Sequence, residues 1–239
     1  MNRKLIAILI FGGIMAASIG GFYFFSVPKE FYTKEELIEN HFYVTPEVKF
    51  QIQEIVQLDE KTYIALHNSY GENYGASVWI WRLGKWENVG SSSSSGPHIL
   101  NNNGNSYVYW NLHPDDIVKT IEVYVTSRRN YSITNANTSE HNEVYFPQIQ
   151  VKHEIDIGKK SYGHMKVPSE WKMLTGSVDL NPVENGLLPS SHYFLYQYRV
   201  LNEKGEEVRL EHTHRNGGGG SYSGDYVIFL GHVQSENLE

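Results

Sequence analysis

An all-β chain of antiparallel, sandwich-like sheets behind one apolar N-terminal helix is the fold class this sequence predicts. Three observations carry that expectation. Beyond Val48, apolar and polar residues alternate with a period of two through most of the chain. Turn-forming residues punctuate the alternation about every 8–12 residues, the spacing of short sandwich strands. Ahead of both, no charge interrupts residues 5–27, a run that opens on Leu5 and closes on Val27 behind Arg3 and Lys4.

That first run predicts a transmembrane anchor over residues 1–28. At about 1.5 Å per helical residue it exceeds the roughly 30 Å hydrocarbon core, and a helix satisfies its own backbone groups where lipid cannot. Tyr23, Phe24 and Phe25 fall where an aromatic belt meets the headgroups. Arg3 and Lys4 on the other flank put the N-terminus in the cytoplasm and the remainder outside a single-pass cell membrane protein. Two readings compete. A cleavable signal, cut after small residues such as Ser18 and Gly20, would release a secreted chain, but its apolar core is about 7–15 residues and this run continues into Phe24 and Phe25. A buried core helix is the other.

Composition narrows the partners. The chain carries 20 basic and 27 acidic residues, a net charge of −7, and without Arg3 and Lys4 the balance is −9. Such a surface argues against nucleic acid, anionic lipid and polyanionic wall polymers unless a metal bridges them. With no cysteine, disulfides, thiolate metal sites, cysteine nucleophiles and lipid attachment at cysteine are all excluded. An exported chain without disulfides fits the envelope of a Gram-positive bacterium.

Along the chain, residues 29–45 form a juxtamembrane segment. Thr33-Lys34-Glu35-Glu36 matches a capping box, with Tyr32 and Leu37 placed for a hydrophobic staple, which predicts a short helix over 34–40. A β region follows over 46–126. Its alternation slips phase near Gln53 and Glu54, predicting a β-bulge, and Leu83-Gly84 turns a hairpin over 76–89. Ser91 to Ser95 predict a flexible loop. Residues 127–143, with Ile133 as their large aliphatic residue, predict a linker or long loop. Strands are expected again within 144–239, over 149–157, 170–178, 192–202, 206–214 and 225–233. The two β regions make one domain or two.

The apolar run, followed by strand, charged turn, strand and the Leu83-Gly84-Lys85-Trp86 hairpin, resembles uncharacterised membrane-anchored extracytoplasmic proteins of Gram-positive bacteria over about residues 1–90. The resemblance implies an envelope location and a non-enzymatic role.

Familiar catalytic patterns are missing. Gly220-Ser221-Tyr222-Ser223-Gly224 sets tyrosine where a nucleophile elbow needs serine, and Ile157 stands where a zincin opening at His153-Glu154 needs its second histidine. The candidate metal ligands are His212 and His214, which share a face if 206–214 is a strand, with His153 from a neighbouring strand as third donor to zinc. The same histidines also fit the polar end of a strand leaving its sheet. Trp79, Trp81, Trp86 and Trp110 are candidates for stacking on sugar rings, or for core packing and cross-strand pairing. The function expected is a membrane-tethered extracytoplasmic binding or regulatory module that contacts an envelope protein or glycan. The alternative is an envelope hydrolase or metal-dependent enzyme using the histidine cluster.

Overall fold

A computed structural model of the chain describes residues 3–42, 49–102, 104–127, 129–134, 142–146, 148–171, 194–215, 217, 219–224, 226–233 and 238. Helices α1 (Arg3–Ser26) and α2 (Lys34–His41) come first, then β1 (Phe50–Asp59), β2 (Thr62–Ser69), β3 (Asn73–Arg82) and β4 (Lys85–Ser92). β5 (Ser95–Asn102), β6 (Asn105–Asn111), β7 (Thr120–Ser127), β8 (Asn130–Thr134), β9 (Asn142–Phe146), β10 (Ile149–Asp156) and β11 (Tyr162–Lys166) follow. β12 (Leu195–Leu201), β13 (Gly220–Tyr222), β14 (Val227–Phe229) and β15 (Gly231–His232) end the order. Among the described residues the strands pair antiparallel, apart from a short parallel contact of β12 with β15. The chain is mainly antiparallel β, as the alternation predicts.

Two units divide it: Met1–Ser93 with Gly219–Gly224, and Ser94–Gly218 with Asp225–Glu239. The first is a meander, β1-β2-β3-β4, with β13 added beyond β4. The register slips between Ile52 and Glu54, where the sequence phase slips. Leu83 and Gly84 both take positive φ, 52° and 77°, the backbone that matches a two-residue hairpin to strand twist. β13 can lie against β4 because Gly90 has no side chain: a Cβ there would stand 2.4 Å from Tyr222 Cδ1.

One face of this sheet is covered by α2. Thr33 Oγ1 accepts from the Glu36 amide (3.2 Å) and Glu36 Oε2 accepts from the Thr33 amide (2.8 Å), so the capping box starts the helix where predicted. Fully buried Leu37 then packs with Ile52, Ala65, Trp79, Trp81 and Trp86. Lys34 Nζ donates to the Ile52 and Gln53 carbonyls (3.0 and 2.8 Å), which ties the helix to the bulge. In α1 the described side chains cover residues 10–22, and its large apolar ones, from Ile10 to Phe22, are exposed. Among the described residues no helix is long and apolar enough to cross a membrane.

The second unit is a sandwich of two four-stranded sheets, β10-β7-β12-β15 and β11-β6-β5-β14. Ile99, Val108 and Trp110 from one sheet meet Ile121, Val123, Val125 and Val200 from the other in a single core. Three expectations differ from this arrangement, and a fourth, the strand over 170–178, lies almost wholly outside the described residues. Residues 127–143 do not mark the division of the chain. β7 and β10, on either side of them, pair along their whole lengths, and β8 and β9 form a ribbon in between. The division falls at Ser93 and Ser94, inside the serine run, whose Ser92 and Ser95 are buried strand residues rather than a loose loop. Residues 206–214 are no strand. After a lone bridge at Glu207 the chain turns through 211–215, because the Asp116 carboxylate takes the amides a ladder would use. Trp171 closes a turn onto Pro168 (3.1 Å), and 172–178 lie outside the described residues.

Candidate functional site

The four tryptophans belong to cores. Trp79, Trp81, Trp86 and Trp110 are 2, 4, 6 and 4% exposed. Trp79 receives Phe31 and Tyr32 edge-on at 6.0 and 5.7 Å, and Trp86 Nε1 donates to the Lys29 carbonyl (3.0 Å). No ring face among the four is left for a sugar. The alternation of Trp79 and Trp81 with Val78 and Ile80 reads as one exposed face, yet both faces of β3 are buried.

Within the first unit a groove of about 430 Å³ is lined by Ser91–Ser93 of β4 and its extension and by Gly219–Ser221 at the paired β13. Phe42, Phe50, His67, Ser69 and Tyr70 complete the lining. The two small-residue segments hold each other: the Ser93 amide donates to the Gly219 carbonyl (2.9 Å), and the Gly219 amide donates to Ser93 Oγ (3.1 Å). Burial pushes the His67 imidazole down to about 4, so it is neutral at physiological pH. With no Asp, Glu, Lys or Arg in the lining, the groove offers hydroxyls, backbone groups and aromatic rings without a charge. Neither serine run nor glycine run announces this, since each alone reads as low-complexity loop. The available signal is that both are glycine- or serine-rich, the composition that permits close backbone approach.

A second constellation sits in the second unit, where the 3-10 turn Pro114–Asp116 meets the 211–215 turn. Buried Asp116 accepts the His212 amide at Oδ1 and the Thr213 amide at Oδ2, both 2.9 Å, and the Thr213 hydroxyl at 2.5 Å. Thr213 Oγ1 accepts in turn from the His113 amide (2.8 Å). This cross-lock stacks the His113 and His212 rings with centroids 5.3 Å apart, and the metal-binding atoms of His113, Asp115 and His212 lie within 4.8 Å of one another. Of the three ligands expected from sequence, only His212 belongs to the group. His153 lies on β10 with its ring edge-on to Trp171 (6.4 Å). His214 packs against Gly96 with Nδ1 3.2 Å from Ser94 Oγ, and burial lowers its pKa although Asp116 pulls the other way.

The Ser94 hydroxyl beside His214 donates to the Thr213 carbonyl at 2.7 Å. Among the described residues Glu122 is also buried: on β7, it accepts from Tyr124 (2.7 Å), Arg199 Nε (2.6 Å) and Lys152 (3.2 Å). Burial alone would raise this carboxyl, but those hydrogen bonds hold it below the usual range, and Tyr124 is pushed up to about 12 by burial and the same carboxylate. No family model, curated protein or solved structure matches this chain.

Proposed function

We propose that the chain is a membrane-tethered binding module whose first unit holds an uncharged, hydroxyl-rich ligand, a neutral glycan segment of the cell envelope, outside the cell. The observation that carries this reading is the charge-free groove of serine hydroxyls and aromatic rings in a chain whose net charge is −7. Sugars present an apolar C–H face and a rim of hydroxyls, and such a lining answers both. An acidic chain with a neutral groove disfavours polyanions. The tether is α1. Its exposed apolar side chains over 10–22, within a sequence uncharged from 5 to 27, would form a large apolar patch in water.

Neutral N-acetylhexosamine oligomers titrated into the full-length chain in mild detergent test the ligand. Saturable binding is expected, weakened about tenfold by Tyr70→Gly, which removes a ring worth roughly 1.4 kcal/mol but keeps the left-handed backbone at that position (φ 58°). No saturable binding, or binding indifferent to Tyr70→Gly, removes the glycan reading. For the tether, single cysteines at exposed Glu60 and Lys204 report alone because the chain has no other thiol. They are expected to react with an impermeant reagent on intact cells. Reaction only after lysis reverses the orientation, and a shortened chain in the medium replaces the tether with a cleaved signal.

A further inference from the structure

We infer that His113, Asp115 and His212 bind a divalent transition-metal ion of the zinc class. Two imidazoles and a carboxylate are the donor mix that such ions take, whereas calcium and magnesium require oxygen-rich sets. The separation suits it. His113 Nδ1 and Asp115 Oδ2 are 3.8 Å apart and the three donor atoms lie within 4.8 Å of one another, so rotation of the exposed Asp115 and His212 side chains is enough to bring all three to the roughly 2 Å bonds and near-tetrahedral angles of zinc. The ion would replace the hydrogen bond that Nδ1 now accepts from the Asp115 amide (3.1 Å), and the exposed Asp115 carboxylate is free to rotate toward it.

What separates this trio from a chance meeting of surface side chains is how the two backbones are held. His113 and Asp115 come from one segment and His212 from another, 97 to 99 positions away, and four hydrogen bonds through Asp116 and Thr213 fix one to the other. The two backbone segments are therefore placed before any ion arrives, which leaves only side-chain rotation to complete the site. Three protein donors leave a coordination position open. A cavity of about 470 Å³ lies beside the site, lined in part by Asp115, His212, Glu207 and Glu211 with Arg209, so the ion would face a predominantly acidic opening that admits water or a partner group.

Cobalt(II) titrated into the full-length chain, followed by its visible absorption and displaced with zinc, tests the site independently of any glycan. One ion per chain is expected. His212→Ala and Asp115→Asn should each weaken binding at least about tenfold, while His153→Ala and His214→Ala leave it unchanged. Asp115 is exposed, so its variant keeps the test valid should His212→Ala misfold, and circular dichroism identifies that case. Absence of binding below millimolar cobalt overturns the inference. So does binding that survives Asp115→Asn and His212→Ala intact, or that falls with His153→Ala or His214→Ala instead.

Discussion

The two units reach buried cores by different routes. In the first, a single sheet has one face covered by a short helix and the chain leading to it, and the contact is largely aromatic: Phe31 stacks on Tyr63 at 4.2 Å and meets Trp86 edge-on at 5.1 Å. In the second, two sheets close on each other through valine and isoleucine drawn from strands far apart in sequence. The first route concentrates burial in a few large rings placed by nearby chain. The second spreads it over many, mostly aliphatic, side chains whose partners arrive late. A single substitution should therefore cost the first unit more than the second.

The largest effect follows at Trp79, fully enclosed by Phe31, Tyr32 and His41. Trp79→Ala should destabilise by about 4 kcal/mol, against roughly 2 kcal/mol for Val123→Ala in the second core. Hydrogen exchange resolved by segment checks both magnitude and place: each variant should loosen its own unit first. Equal loss of protection in both would show one cooperative body and end the contrast.

Acid comes next, and here the units should behave alike. His67 in the first and His98 in the second are each pushed down to about 4 by burial, against an unfolded value of 6.5. Below pH 6.5 the unfolded chain takes up protons that the folded chain refuses, so stability is constant above 6.5 and falls as pH drops toward 4. Each histidine should remove on the order of 3 kcal/mol over that window. Urea melts at pH 7 and pH 4.5 measure it, and His67→Gln should abolish about half of the difference. An unchanged midpoint would mean that neither imidazole stays neutral when folded.

Two smaller effects compare long-range with local tethers. Asp116→Asn puts an amide where the Thr213 amide and hydroxyl donate, and should cost about 2 kcal/mol in a thermal melt. Thr33→Ala removes half of the capping box and should cost about 1 kcal/mol, confined to exchange in α2. If the cap loosens β1 as well, the Lys34 contact to the bulge transmits more than the helix itself.

The same division explains what could be read beforehand. The capping box at Thr33, the bulge near Gln53 and the turn at Leu83-Gly84 are all legible, because each is decided by residues within a few positions of one another. Ser93 meets Gly219 across 126 positions, and His212 meets Asp116 across 96. Neither meeting leaves a periodic trace. Local pattern therefore predicts a loop in the serine run and a strand over 206–214, and the grouping of His153 with His212 depends on that strand, which Asp116 prevents. For 127–143 the only local signal is composition, which is blind to the ladder joining β7 to β10.

The return of residues 219–224 to the first unit makes its completion a matter of timing. A ribosome emits β4 roughly 130 residues before Tyr222, its neighbour's last residue, appears. At about 5–20 residues per second, β4 waits on the order of ten seconds with an unpaired edge. During that interval the nascent chain, whether at the ribosome or threading a translocon, offers Gly90, Ser91 and Ser92 to any passing strand. Small polar residues at that edge are a poor template for a foreign hydrophobic strand, and they keep the place open until the chain's own segment arrives.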